Sequence, residues 1–305
     1  MSARSLLKRL AEGALVHSGA AALARRRLGG RSLVLAYHNV VPDNGHREGD
    51  LPNHLPLAAF EAQLELLSRE HEVVSLENLL TAESDNRHSR VAITFDDAYR
   101  GALLLGIPAL QRRKLPCTVF VTPGLLGGHE FWWDELASPS GGLSREVRTH
   151  AIEALEGDGE AIRTWASANG VSRRALSCPY RRSATAEELM QAAARPGVSL
   201  GAHTWSHPAL TRVPAERLAF ELHATREWLT QQDAAVVDAI AYPYGDCDER
   251  VMNASRQTGY RAGFRVDGGW AIGTSSNRFD IPRLNVDPGV STNGFSLRLA
   301  GLLAR

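Results

Sequence analysis

The chain has 305 residues, 44% of them hydrophobic, enough for a large core in one α/β domain with extensions or in two smaller domains. Its 34 lysines and arginines balance 34 aspartates and glutamates, so no overall field favours a nucleic acid or an acidic polymer. Cys117, Cys178 and Cys247 are too scattered for a disulfide framework or a CxxC zinc site, a usage ordinary for a reducing compartment, and the expected location is the cytoplasm.

The first 31 residues differ from the rest. They hold Arg4, Lys8, Arg9, Arg25, Arg26, Arg27 and Arg31 against Glu12 alone, with Leu6, Leu7 and Leu10 at helical spacing. This pattern predicts a basic amphipathic helix that either rests on an anionic membrane surface or packs its leucines on the domain. The stretch "GALVHSGAAALA" is weakly apolar and runs into three arginines, which argues against a signal peptide. No window approaches the roughly 20 apolar residues of a membrane span, so any contact with the inner membrane surface is expected to be peripheral.

From Ser32 onward, strand-like and helix-like segments alternate. Strands are expected at 32–40, 72–76, 90–97, 117–123, 198–204, 239–245, 260–266 and 280–286, mostly as continuous apolar runs, the pattern of parallel strands covered on both faces. Helical patterns such as 57–70 and 214–232 lie between them. The alternation predicts an α/β fold, a distorted (β/α) barrel of about seven strands over 32–305. Residues 124–197 break the rhythm and are expected to form a helical insertion over one end of the sheet, behind an N-terminal helical extension over 1–31.

The polar residues fall at strand ends. In "ITFDDAYR", an apolar run meets two adjacent carboxylates, Asp96 and Asp97; His38 ends "LAYH", His203 and His207 lie in "HTWSH", and "YPYG" covers Tyr242 to Gly245. In a parallel barrel the C-terminal strand ends form one rim, so five ionisable groups are expected at one mouth. Singly, each is unremarkable: an Asp pair is more often a helix cap, an HxxxH pair a surface feature, a lone histidine a satisfied core residue. Together, one carboxylate and two imidazoles form a three-ligand set that leaves positions open on a divalent metal. A metal also accounts for the adjacent carboxylates, since one can bind the cation while the other serves as a base.

The motifs "TFDD", "HTWSH" and "YPYG", in that order, resemble those of the polysaccharide deacetylases of the NodB-homology type, carbohydrate esterase family 4, over roughly residues 32–286. The resemblance implies a distorted (β/α) barrel acting on an acetylated carbohydrate, with Asp96 as general base and Asp97, His203 and His207 as ligands of the metal. It also implies that the backbone N–H of Tyr244, beside Pro243, faces the oxyanion. Two departures stand out. Ala241 replaces the arginine that orients the aspartate in many members, and Arg283 in "IPRLNV" is the expected substitute. No histidine follows His223 to serve as the late acid, so His38, on a first strand that barrel closure would set beside the last, is the expected proton donor. An imidazole ordinarily titrates at about 6.5, which suits that task.

The same chemistry follows from the residue types. A zinc-like ion polarises the carbonyl and lowers the pKa of a water toward about 7; Asp96 takes that water's proton; the oxyanion needs donors placed in advance. With the substrate class that the resemblance implies, the expected activity is hydrolysis of an acetyl group, on nitrogen, from a sugar of a cell-envelope or exopolysaccharide precursor. The alternative is a catalytically silent carbohydrate-binding protein of the same fold. Magnesium-dependent phosphoryl transfer is disfavoured by the two histidine ligands. Phe131, Trp132 and Trp133 in the insertion, and Tyr37 and Trp205 near the site, are each either sugar-facing aromatics or core anchors.

Overall fold

The expected apolar runs become parallel strands in the computed structural model of the chain, which describes residues 3–28, 31–45, 47–81, 89–266, 268–272 and 277–303. They are β1 (Arg31–Tyr37), β2 (Arg90–Phe95), β3 (Cys117–Val121), β4 (Val198–Ala202), β5 (Val236–Ala241) and β6 (Ala262–Arg265), followed by the two-residue strands β7 (Ile281–Pro282) and β8 (Leu284–Asn285). Each pairs in parallel with the next from β1 to β7. β8 returns to pair with β1, Leu35 opposite Leu284 and Ala36 opposite Asn285. The last run thus reaches both edges of the sheet and nearly closes it into a barrel. Eight strands result rather than about seven, because this run divides at Arg283.

Strand residues alternate between the two faces, and the barrel has two apolar layers accordingly. Val34, Ala92, Phe120, Ala239, Phe264 and Ile281 form the inner cluster, with the Phe120 and Phe264 rings 5.8 Å apart across a narrow interior. Leu33, Leu35, Val91, Ile93, Phe95, Val119 and Leu200 point outward into the larger cluster beneath the helices. One covering helix, α3 (Leu57–Glu70), buries Phe60, Leu64 and Leu67 at the three-to-four-residue spacing of a single face.

Two helices precede the barrel, α1 (Ala3–His17) and α2 (Ala20–Arg26), and both pack near the final helix α4 (Thr292–Leu299). The reading in which α1 buries its leucines on the domain is overturned, since Leu6, Leu7 and Leu10 all lie exposed. Between β3 and β4 run the short helices Trp132–Glu135, Arg145–Glu153, Gly159–Ala168 and Ala186–Ala193. Three of them start at side-chain caps, Ser144, Asp158 and Thr185, the last a reciprocal box with Glu188.

Candidate active site

Inner-face parity continues past the strand ends and sets the site. Position 96 shares its face with Ala92 and Thr94, and position 283 shares its face with Ile281, so the side chains of Asp96 and Arg283 meet at the top of the barrel interior. Arg283 is fully buried and grips both carboxylate oxygens of Asp96, Nη1 to Oδ1 and Nη2 to Oδ2, each at 2.7 Å. Nη1 also donates to Thr94 Oγ1 at 3.2 Å, and that hydroxyl donates to the Leu35 carbonyl at 2.8 Å. The guanidinium lies 5.4 Å from the Phe120 ring centroid. Burial opposes ionisation of Asp96, but the Arg283 charge, supported by His203, outweighs it and holds the carboxyl far below the ordinary carboxylate range. Ala241 contributes its backbone instead: its carbonyl lies 2.8 Å from His203 Nδ1.

Asp97, His203 and His207 converge beside this pair, all buried. Asp97 Oδ1 stands 3.5 Å from His203 Nε2 and 3.4 Å from His207 Nε2, and accepts no hydrogen bond among the described residues. Burial lowers the His207 imidazole to about 4, with Asp97 only partly offsetting it. Burial lowers His203 as well, but the two aspartates outweigh it and raise that ring. With Nδ1 of His203 donated to a carbonyl, its Nε2 faces Asp97 as the free ring position. Oxygen and nitrogen donors about 2.0–2.2 Å from a tetrahedral zinc lie roughly 3.3–3.6 Å from one another. The two Asp97–His separations fit that spacing, so these residues could hold a divalent ion.

The backbone around the site is strained. Asp97, Ala98, Thr204, His207 and Tyr244 have φ between 54° and 68°, left-handed conformations that cost roughly 1–3 kcal/mol each in non-glycine residues. The turn at Thr204 folds the chain so that His207 returns over the rim. Gly245 closes the next turn at φ 73°, where a side chain would meet the Val266 nitrogen at 2.6 Å.

Asp96, Asp97, His203, His207, His38 and Tyr244 line one cavity of about 420 Å³, which Trp132, Trp133, Arg148 and Asn285 complete. The Tyr244 ring packs edge-on against His207 at 4.7 Å. Pro243 is buried and opens the short turn that carries Tyr244. Tyr37 and Trp205, expected beside the substrate, lie elsewhere. Tyr37 has the parity of Leu33 and Leu35, so it points out of the barrel into the helix layer, its hydroxyl donating to Gln63 at 2.9 Å and its ring against Phe60. Trp205 turns away from the rim and packs on Gly124 and Phe220.

The sequence profile described as polysaccharide deacetylase matches residues 83–263. The chain belongs to the polysaccharide deacetylase family. Chitin deacetylase 1 of Cryptococcus neoformans is 29% identical over 126 residues, a match spanning 41% of this chain and only 25% of that protein. The fold is shared with the Streptococcus pyogenes deacetylase PplD, solved with acetate, at a TM-score of 0.61 and 17% identity over 88% of this chain and 98% of that one. A polysaccharide deacetylase from Bacillus cereus has a TM-score of 0.63 at 16% identity, over 88% of this chain and 69% of that one.

The stretch matching the polysaccharide deacetylase profile contains Asp96, Asp97, His203, His207 and Tyr244, whereas His38 and Arg283 lie outside it. Sequence reasoning also missed a buried support behind the Asp97, His203 and His207 cluster. Asp134 Oδ2 accepts from Tyr99 Oη at 2.6 Å, and Oδ1 accepts from His54 Nε2 at 2.9 Å and from the Asp50 N–H at 2.7 Å. Trp133 Nε1 donates to Tyr99 Oη at 2.6 Å and sets the indole 4.9 Å from the His207 ring. Asn39 Nδ2 lies 3.1 Å from His54 Nδ1, so that histidine carries its proton on Nε2, toward Asp134. Phe131, Trp132 and Trp133 are thereby buried anchors, and Trp132 and Trp133 are also cavity wall. Arg148 reaches the mouth from the insertion and pairs with Asp50. Nothing in the local sequence marks these partners, which come from five separate segments.

Proposed function

We propose that this protein is a metal-dependent hydrolase that removes N-acetyl groups from a sugar of an envelope or exopolysaccharide precursor. The observation that carries the proposal is one buried carboxylate oxygen facing two imidazole nitrogens at 3.4 and 3.5 Å, beside a second carboxylate clamped by an arginine. Asp97, His203 and His207 would hold a divalent ion, zinc by the mixed nitrogen and oxygen donor set. When bound, that ion would polarise the acyl oxygen and acidify a nearby water.

The protein's residues supply the rest. Asp96 takes the proton from water as the oxygen attacks the acyl carbon. Its ionised state persists across the working pH range because Arg283 holds it so, and the resulting weak basicity is matched by the acidified water. Arg283 positions both Asp96 oxygens and does not itself meet substrate. His38, lining the same cavity, donates a proton to the departing amine. The Tyr244 N–H stabilises the negative oxygen as the tetrahedral centre forms. The C–N bond breaks, leaving acetate and a free amino sugar.

Zinc loading followed by desalting and elemental analysis tests the centre. About one ion per chain is expected, lost in His203→Ala and in Asp97→Ala. Acetate release from N-acetylglucosamine oligomers is expected from the loaded parent and not from Asp96→Asn. A parent that binds zinc and oligosaccharide yet releases no acetate would establish the silent binding protein instead.

A further inference from the structure

The first N-terminal helix, α1, turns a carboxylate to the protein and leucines outward, the reverse of ordinary packing, while α2 buries only the small Ala21 against Leu297 and Ala300 and leaves Leu23 outside. The buried contact of α1 is Glu12, whose carboxylate accepts from Ser291 Oγ at 2.6 Å, beside Gly13 against Asn293 and the half-buried Val16. Leu6, Leu7 and Leu10 are 52%, 66% and 62% exposed, and Leu15 and Leu23 are exposed with them. Leu302 is exposed as well and lines a groove with Arg27, Leu28 and Trp270. Only Leu104 and Phe220 are exposed large apolar side chains elsewhere among the described residues.

The charged residues of these helices are basic apart from Glu12, and of them Arg25 alone is paired to a carboxylate at close range, Glu70 of the barrel, among the described residues. Arg9, Arg26, Arg27, Arg31 and Arg298 have no carboxylate partner among the described residues, and Lys8 has only a 3.8 Å contact with Glu12. Glu12 is the single acid of the first 31 residues and is turned inward. A second copy of the same face would oppose these arginines with its own. An anionic bilayer would accept both components, leucines at the acyl boundary and arginines at the headgroups. No helix among the described residues is long and apolar enough to cross a membrane.

We propose that the outer face of α1 and α2 is a docking surface for an anionic lipid bilayer. Co-flotation of the full chain with phosphatidylcholine vesicles containing phosphatidylglycerol, against phosphatidylcholine alone, tests it. The bound-to-free ratio is expected to be roughly tenfold or more higher on the anionic vesicles and to fall with salt. It should drop by a similar factor in the triple variant Leu6→Gln, Leu7→Gln, Leu10→Gln and in the double variant Arg26→Gln, Arg27→Gln. Far-UV circular dichroism should stay at the parent spectrum in both, because every altered side chain is exposed. Equal binding to both vesicles, or a triple variant that binds as the parent does, overturns the proposal. So does a parent that light scattering shows to be a dimer which the triple variant disperses, since the face would then be a self-interface.

Discussion

The barrel mouth and the N-terminal helix face break the same rule in opposite directions. At the mouth, two aspartates, two histidines and an arginine are taken out of water; on the helix face, five leucines are left in it. Burial of charge is tolerated only where partners are supplied, and Asp96 has them in Arg283 while Asp97 has two imidazoles. Exposure of leucine has no such remedy among the described residues, and the bilayer proposed above would supply its partner. A site that acts on a molecule and a surface that rests on one can therefore be distinguished by which half of the inside–outside rule is broken.

The sharpest test of the mouth is Asp96→Asn, expected to lower acetate release by roughly 10²–10⁴-fold, the usual contribution of a positioned base. Zinc content should stay at the parent level, because Asp96 is not among the three proposed ligands. Arginine substitutions compare the regions directly. Arg283→Met leaves the buried Asp96 carboxylate without its countercharge and should cost about 3–5 kcal/mol in urea denaturation. Arg27→Met, on an exposed residue, should stay within about 0.5 kcal/mol of the parent. Equal effects would erase the distinction.

A third test lies where the barrel meets the N-terminal helices. Burial first, then the Arg25 charge, pushes the His71 imidazole down to about 4, while its ring leans on Trp270 at 5.6 Å. The folded chain keeps this ring neutral where an unfolded histidine, near 6.5, takes up a proton. The unfolded state therefore binds more protons between about pH 6.5 and 4, and stability present above 6.5 is lost as the pH falls through that window. The loss should approach roughly 3 kcal/mol, and His71→Asn should remove it from the stability profile. A somewhat smaller loss than at His71 is expected of Tyr99→Phe, which removes one hydrogen bond to the buried Asp134 carboxylate and should cost roughly 1.5–3 kcal/mol in denaturation. A rise in KM for zinc-loaded protein would show in addition that Trp133 loses its place at the cavity wall.

Much of the mouth is legible in the sequence because strand ends announce themselves. An apolar run that stops at a carboxylate or histidine places that side chain on the rim, which is how Asp96, Asp97, His203 and His38 are found from sequence alone. Face is harder to read than position. Tyr37 adjoins His38 in sequence but points to the opposite side of the strand, and only the pairing register shows which parity faces inward. The same ambiguity applies to α1: helical spacing reveals a leucine stripe, and packing decides whether it faces the core. The Asp134 support is illegible for another reason, since Asn39, His54, Tyr99 and Trp133 follow no period and meet only through tertiary structure.

Arg283 interrupts the last strand by one residue, and that interruption joins two tasks. The strand before it pairs with β6 and the strand after it with β1, so the guanidinium that grips Asp96, 187 positions away, sits at the seam of the barrel. Closing the cylinder and arming the carboxylate are then one event in assembly. A fragment ending at residue 263 would retain the whole profile-matching stretch, yet it would carry an open sheet edge and a buried aspartate with no countercharge. For this chain, intact motifs are no guide to where a working truncation ends.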